Sequence, residues 1–386
     1  MKKVISSSSH QKIGVLGGGQ LALFLSLKAQ KLGLDLYTLS SLQKSSSLLT
    51  NRISSFQIEG NPHDRKDLKK FFKKIDILTF ESEFFSAELI QSLNPVIDIN
   101  PSLKNLKNIQ DRYLQKKLLI QNSFPVLDFV VWNHLKGKEN YRIPLNFWKK
   151  WGAFVLKTRR GGYDGYGTFL VKKKQDIFKL PAGSFILEPF INFDRELAIL
   201  VARNQKGQIV FFPLVESFQK NSVCLWVKGP IKHKRINSFK KKIQSFLSQI
   251  DYRGVIAFEL FEKNSNLIVN ELAPRVHNTG HYSLDALTQD QFSMHLKAIS
   301  NQDLKSPRLK TKSFAMLNLL GKGHSFPCFK KQSLLKCKEQ LKKQAVSLYW
   351  YGKTESRLGR KMGHLNCIEG DQALNKLLKI ERHIKV

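Results

Sequence analysis

Glu259, Asn270, Glu271, Arg275, His277, Asn278 and His281 lie close together along the chain. Carboxylates, an amide, a guanidinium and imidazoles are the groups that bind hard cations, clamp phosphates and move protons. The residues around them alternate as two short strands, 254–261 and 267–272, joined by the polar turn Lys263-Asn264-Ser265-Asn266. A turn centred on Ser265 sets Glu259 directly opposite Glu271 on one face. Like charges so placed repel. A hard divalent cation relieves the repulsion, and Mg²⁺ held by one or two carboxylates plus substrate phosphates suits the pair best. The hairpin alone equally allows two solvated glutamates on an exposed face. The polar crowd from Arg275 to His281 argues for the site.

Upstream, Lys157-Thr158-Arg159-Arg160-Gly161-Gly162-Tyr163-Asp164-Gly165-Tyr166-Gly167 sits between strand-like runs at 154–156 and 168–171. Its glycines permit positive φ and close backbone approach, so successive amides can wrap a polyphosphate while Lys157 supplies a point charge. The lysine precedes the glycines, which excludes a Walker loop; the bland alternative is a mobile hairpin tip. Asp164 is placed to orient a substrate or move a proton. Next, Phe185-Ile186-Leu187-Glu188-Pro189-Phe190-Ile191 reads as an apolar hinge suited to an adenine, and Glu196 follows at a spacing that reaches a ribose.

The elements that would carry these residues alternate at first between strand and helix. Residues 12–16 read as a buried strand, Gly17-Gly18-Gly19 as a tight turn, 20–32 as a helix ending at Gly33, and 34–39 as a second strand. Short strand-like runs follow at 76–80 and 96–99. This alternation predicts a mostly parallel sheet with helices on both faces. A polar helix is expected over 102–122, strands dominate from 154, and hairpin-like pairs surround 161–167 and 205–207. Amphipathic helices are expected over 236–250 and 285–299, and a change of texture near 301–312 marks a linker. Gly17-x-Gly19-x-x-Ala22 looks like a dinucleotide fingerprint, but the second strand ends in Thr38-Leu39-Ser40-Ser41 without the carboxylate such a site needs. A nicotinamide or flavin enzyme is therefore rejected. The helix-start amides could still cradle a phosphate, or the glycines could only make the turn.

At 386 residues, with 42% hydrophobic residues, the chain supports two or three packed domains. No apolar run approaches a membrane span, and the N-terminal stretch lacks the apolar region of a signal peptide. Cys224, Cys328, Cys337 and Cys367 have no metal spacing and read as reduced residues of a cytoplasmic protein. The net charge of +34 would normally point to a polyanion partner. The lysines are scattered, however, without a basic arm, zinc module or RNA-binding aromatic motif. Nucleic acid is therefore set aside in favour of phosphate-bearing small substrates.

The order of lysine, glycine loop, hinge, ribose acid and paired carboxylates resembles the ATP-grasp superfamily. More closely, the chain resembles the N5-carboxyaminoimidazole ribonucleotide synthetase family, from Gly14-Val15-Leu16-Gly17-Gly18-Gly19-Gln20-Leu21 to Gly359-Arg360-Lys361-Met362-Gly363-His364. Between these ends it includes Thr79-Phe80-Glu81, Gln110-Asp111-Arg112, Gln291-Phe292-x-x-His295-Leu296 and Leu317-Asn318-Leu319-Leu320-Gly321. The Tyr-Asp of the glycine loop and the Ala-Pro-Arg-x-His-Asn-x-Gly-His run are the discriminating pieces. The resemblance implies an α/β and α+β architecture. Its parts would be a Rossmann-like pre-ATP-grasp domain (1–110), an ATP-grasp domain (111–302, with a lid at 111–185 and a main part at 186–302) and a small C-terminal domain (303–386).

It also implies an ATP-dependent carboxylation of aminoimidazole ribonucleotide by bicarbonate through carboxyphosphate, in a cytoplasmic homodimer. By this resemblance Arg112, Lys157, Gly162, Tyr163, Asp164, Gly165, Tyr166, Gly167, Thr168, Glu188, Pro189, Phe190, Ile191, Glu196, Gln219, Asn270 and Glu271 would hold ATP. Glu259 and Glu271 would hold Mg²⁺, with Mn²⁺ as a substitute. Gln20, Glu81, Tyr163, Arg275, His277, Lys353, Arg360 and Lys361 would form the substrate pocket, and Asp164, Arg275, His277 and Lys353 would be catalytic. Departures from the family pattern fall at Leu23 and Phe24, in Glu81-Ser82-Glu83, at Ser217 and Gln219, and at Thr279. The competing readings are a formate-dependent glycinamide ribonucleotide enzyme of the same superfamily, a non-catalytic relative and a nucleic-acid-binding module.

Overall fold

The computed structural model describes residues 11–41, 56–134, 145–162, 167–220, 222–323, 331–353, 355–370 and 372–382. Tyr163, Asp164, Gly165, Tyr166 and Cys328 lie outside these residues, as does the segment judged for a signal peptide. Cys224, Cys337 and Cys367 are not disulfide-bonded. Among the described residues no helix is long and apolar enough to cross a membrane.

The expected parallel sheet is present, with β1 (Lys12–Leu16), β2 (Asp35–Ser40), β3 (Phe56–Glu59), β4 (Ile77–Phe80) and β5 (Asp98–Ile99) in the order β3-β2-β1-β4-β5. Its connections run through α1 (Gln20–Lys31), α2 (Arg65–Phe72) and α3 (Ala87–Ser92). The final strand is shorter than the sequence implied, since Val96 is fully exposed and only Asp98 and Ile99 pair with β4. Instead of one helix over 102–122 there are two, α4 (Leu103–Gln110) and α5 (Arg112–Gln121). Asp111 causes the break. Its backbone is extended and its carboxylate caps α5 by accepting from the Tyr113 and Leu114 amides.

A second sheet, antiparallel in the order β6-β9-β7-β8, contains β6 (Val130–His134), β7 (Phe154–Thr158), β8 (Thr168–Val171) and β9 (Gly183–Pro189), with α6 (Leu145–Trp151) before β7. The third is a larger antiparallel sheet of β10 (Arg195–Arg203), β11 (Ile209–Phe211), β12 (Val215–Lys220), β13 (Val223–Gly229), β14 (Gly254–Lys263), β15 (Asn266–Ala273), β16 (Phe314–Leu320), β17 (Val346–Trp350) and β18 (Lys361–Cys367). β16 pairs with β13, so the strands beyond residue 303 continue the sheet that carries the hairpin.

This sheet is covered on both faces, which explains the nearly unbroken apolar run of β10. Leu197, Ile199 and Val201 pack with Phe239, Ile243, Phe246 and Leu247 of α7 (Ile236–Gln249). Ala198, Leu200 and Ala202 turn to the opposite core, which includes α1 and Phe292, Leu296 and Ile299 of α9 (Gln291–Ile299). Each of these large buried side chains contributes about 1.5–3 kcal/mol. The helix expected over 285–299 is likewise divided, into α8 (Ser283–Ala286) and α9. Leu287 is extended, and the Asp290 carboxylate restarts the helix by accepting from the Phe292 and Ser293 amides.

Two contacts lock the parallel sheet onto the large one. Lys28 pairs with Asp290 at 2.8 Å. His295 Nδ1 accepts from the Val255 amide at 3.0 Å, which leaves Nε2 to donate to Thr79 Oγ1 at 2.8 Å. Burial pushes the His295 imidazole down to about 4, so it remains a neutral donor. Phe24, unusual for the family pattern, is buried among the rings of His281, Phe292, Tyr349, Tyr351 and His364, where α1 meets the later strands.

Candidate active site

Glu259 and Glu271 are register partners across β14 and β15, as the sequence implied, but the route differs. The turn contains two residues, Asn264 and Ser265, both with positive φ (50° and 58°), rather than being centred on Ser265. Such a turn pairs Lys263 with Asn266 and, continued without interruption, would set Glu259 opposite Asn270. A bulge between Glu259 and Leu260 inserts Asn270 as an extra residue and restores the Glu259–Glu271 pairing. Its neighbours Val269 and Leu272 are both buried in the same core. Asn270 and Glu271 are therefore both aimed away from that core, toward the second sheet.

There they meet α5 and β7. Arg112 Nη2 donates to Glu271 Oε1 at 2.9 Å, while Nη1 donates to the Thr158 carbonyl. Burial works against the guanidinium charge, yet the adjoining carboxylates, Glu271 foremost, hold it above its ordinary value. Lys157 Nζ donates to Asn270 Oδ1 at 2.7 Å and pairs with Glu188 Oε2 at 2.7 Å. The second Glu188 oxygen is taken by Lys116. Gln115 holds β15 from the same helix, accepting from the Leu272 amide and donating to the Leu272 carbonyl. The lysine that opens the glycine loop, the hinge glutamate and the bulged strand thus converge. Gly167 (φ 83°) closes the loop onto Thr158, and Thr168 pairs with Lys157. Of the hinge, Pro189 ends β9 and Phe190 is exposed. The Glu188 carboxylate is fully engaged with lysines, which leaves any base reading to backbone groups.

The turn after β15 carries Arg275 and His277. Arg275 Nε and Nη2 grip Glu83 at 2.6 and 3.3 Å. Burial works against the Glu83 charge, yet Arg275 holds the carboxyl below its ordinary value. His277 Nδ1 accepts from the Thr279 amide, so a neutral ring carries its proton on Nε2, 3.1 Å from Glu259 Oε1. Gln291 fixes this turn through the His277 backbone, accepting from its amide and donating to its carbonyl, both at 2.7 Å. Asn278 and Asn318 exchange reciprocal amide hydrogen bonds, tying the turn to β16.

At the first glycine turn, Glu81 occupies part of the helix start. Its carboxylate accepts from the Gly19 amide at 2.8 and 2.9 Å and from the Ala22 amide at 3.1 Å. Burial raises the Glu81 carboxyl despite these donors. Gly17 has φ 109°, and a methyl there would overlap that carboxylate. Gly17→Ala is expected to destabilise the protein by about 1–3 kcal/mol, read from urea unfolding; unchanged stability would contradict this packing. Beside Glu81, Gln20 Oε1 accepts from Lys353 Nζ at 3.0 Å, and the same ammonium donates to the Lys361 carbonyl at 2.6 Å. Arg360 is next to Lys361 in sequence but donates to the Glu355 carbonyl.

Glu196 and Gln219 meet by a side-chain hydrogen bond at the edge of Glu259's field. Sequence reasoning missed Lys116, Gln115, Glu83 and Gln291 as members of the site. Lys116 carried one signal, its position four residues after Arg112 on the same helix face.

Models of known families match in the same order as these parts. The ribonucleotide synthetase preATP-grasp domain matches residues 10–110, the ATP-grasp domain 119–292, and the phosphoribosylaminoimidazole carboxylase C-terminal domain 315–376. The N5-carboxyaminoimidazole ribonucleotide synthase of Synechococcus elongatus is 34% identical over 370 residues, covering 94% of this chain and 90% of that protein. The chain belongs to the N5-carboxyaminoimidazole ribonucleotide synthase family. Among solved members, the Thermotoga maritima synthetase is 31% identical with a TM-score of 0.81, covering 97% of this chain and 99% of that one. A Staphylococcus aureus synthetase complexed with ADP is 28% identical with a TM-score of 0.82, covering 96% of each chain. The chain is an ATP-dependent carbon–nitrogen ligase of purine biosynthesis with an ATP-grasp fold.

Proposed function

We propose that this synthase carboxylates 5-aminoimidazole ribonucleotide with bicarbonate through carboxyphosphate, releasing N5-carboxyaminoimidazole ribonucleotide, ADP and phosphate, in the cytoplasm and as a homodimer. The observation that carries this reading is the continuity of β15 and its turn. One strand presents Asn270 and Glu271 to the lysine of the glycine loop, and the next residues present Arg275 and His277.

Bicarbonate oxygen attacks the γ-phosphorus, and the bond to the ADP oxygen breaks. Lys157 and the loop from Gly162 to Thr168 hold the phosphates in line, while Arg112 fixes Glu271 beneath them. The exocyclic amine then attacks the carboxyphosphate carbon, the carbon–oxygen bond to phosphate breaks, and the amine gives up a proton. Arg275, His277 and Lys353 line the region where these anions collect, with Gln20, Glu81, Arg360 and Lys361 completing the ribonucleotide side. Asp164 and Tyr163 belong to this reading by sequence alone.

Glu259 and Glu271 fit a magnesium ion by donor chemistry, being hard oxygen ligands in direct cross-strand register. Among the described residues no group of three or more His, Cys, Asp or Glu side chains forms a self-sufficient cage. Two carboxylates completed by substrate phosphates are the shell Mg²⁺ commonly takes, and Mn²⁺ accepts the same donors. Bound there, the ion would neutralise charge on the β- and γ-phosphates.

In this reading Glu196 accepts from ribose hydroxyls. Burial, aided by the Glu259 charge, raises its carboxyl to about 7. A carboxylate raised in this way stabilises the fold below its unfolded value, and that contribution is lost as pH rises through about 7. Nucleotide binding favours the ionised form, so ADP affinity is expected to rise with pH through about 7 and then level off. Calorimetric titrations across that range check this, and an affinity flat in pH would contradict the ribose role.

Bicarbonate labelled with ¹⁸O tests the proposed route. One labelled oxygen should appear in the released phosphate, read as an isotope shift in the ³¹P spectrum. Unlabelled phosphate from a turning-over enzyme would rule out carboxyphosphate.

A further inference from the structure

Lys116 is a fully buried amine for which the reaction outlined above has no use. Its side chain is 2% exposed, as is that of Glu188, with which it pairs. Glu188 is shared, because its other oxygen lies 2.7 Å from Lys157 Nζ. Lys157 in turn is aimed by Asn270 Oδ1 at 2.7 Å. Two ammonium groups and one carboxylate are therefore enclosed together, leaving one positive charge without a counter-ion inside the cluster. A buried unpaired charge is costly unless another group answers it.

Helix α5 makes the arrangement rigid. Arg112, Gln115 and Lys116 leave the same face of the helix, and reach Glu271, the backbone of Leu272 and Glu188 respectively. The helix thus joins the hinge strand β9 to the bulged strand β15. A lysine locked to Glu188 alone would have its charge cancelled. With Lys116 also on Glu188, Lys157 keeps a net positive charge to direct outward.

We propose that Lys116 is a positioning residue for nucleotide binding: it satisfies Glu188 from behind, so that Lys157 faces the nucleotide phosphates as an uncancelled cation. This rests on the assignment of Lys157 to the phosphates. The surplus positive charge on Lys157 is then available to the phosphates of an arriving nucleotide.

The test is a set of ATP dissociation constants, measured without bicarbonate or ribonucleotide, for the wild type, Lys116→Met, Lys116→Arg and Lys116→Met/Glu188→Gln. Lys116→Met should weaken ATP binding about tenfold, the loss of one charge interaction between Lys157 and the phosphates. Lys116→Arg keeps the charge and should bind within about threefold of wild type. The double variant removes one charge of each sign and restores the surplus on Lys157, so it should recover to within about threefold. A purely structural role predicts the reverse, with the double variant at least as impaired as the single. That result, or wild-type affinity in Lys116→Met, would overturn the inference. If Lys116→Met does not fold, the double variant decides alone, since it buries no unmatched charge beyond that of the native cluster. Failure of the wild type to bind ATP would instead overturn the assignment of the phosphate site.

Discussion

Glu271→Gln should reduce ribonucleotide-dependent ADP release by about 10²–10³-fold while leaving the protein folded. Glutamine has nearly the same shape, and its carbonyl oxygen still accepts the Arg112 hydrogen bond that the carboxylate now receives at 2.9 Å. The bulge that aims residues 270 and 271 is a backbone feature and survives the change. What is lost is one negative charge from the pair that would hold the metal on the phosphates. Steady-state turnover and a thermal unfolding curve separate the two effects. A variant that turns over within about threefold of wild type would exclude Glu271 from the metal and phosphate machinery.

Arg275→Ala should be severe in both stability and activity. In the native protein the guanidinium grips Glu83 through two nitrogens, and both side chains are only 15% exposed. Truncation leaves the Glu83 carboxylate enclosed without its counter-ion, a loss of about 3–5 kcal/mol. It also removes the guanidinium two residues from His277, where bicarbonate and carboxyphosphate would sit, and about 10²-fold or more of the rate should go with it. Glu83→Gln is the informative partner. It keeps an acceptor for Arg275 and leaves no stranded carboxylate, so its stability should stay nearer wild type. Denaturant unfolding and turnover on both variants check the account. An Arg275→Ala protein as stable as wild type would show that the Glu83 pairing is of no energetic consequence.

Much of this site could be read from local pattern. Two-residue alternation located both strands of the hairpin, and the glycine loop announced itself through backbone permissiveness. The Glu259–Glu271 pairing was reached by assuming a turn that the chain does not make. The tighter turn and the bulge shift register by one residue each, and the two shifts cancel. The helix boundaries at Asp111 and Asp290 fall inside the single helices expected over 102–122 and 285–299, because periodicity alone does not mark a carboxylate that caps a new helix. The first glycine turn left a phosphate cradle and a simple turn equally open. The engagement of its Gly19 and Ala22 amides by Glu81 depends on strand β4 lying beside β1, and no local window contains that fact. Lys116 and Glu83 were hidden in the same way, each meeting its partner only through the packing of distant elements. The strands beyond residue 303 read as a separate texture, yet β16 extends the large sheet through β13.

The most direct test of the central claim is ADP release by the purified protein with ATP, measured as aminoimidazole ribonucleotide, bicarbonate and Mg²⁺ are each withheld in turn. The account predicts turnover that needs all three and yields the N-carboxylated ribonucleotide. Turnover driven instead by glycinamide ribonucleotide and formate would contradict it.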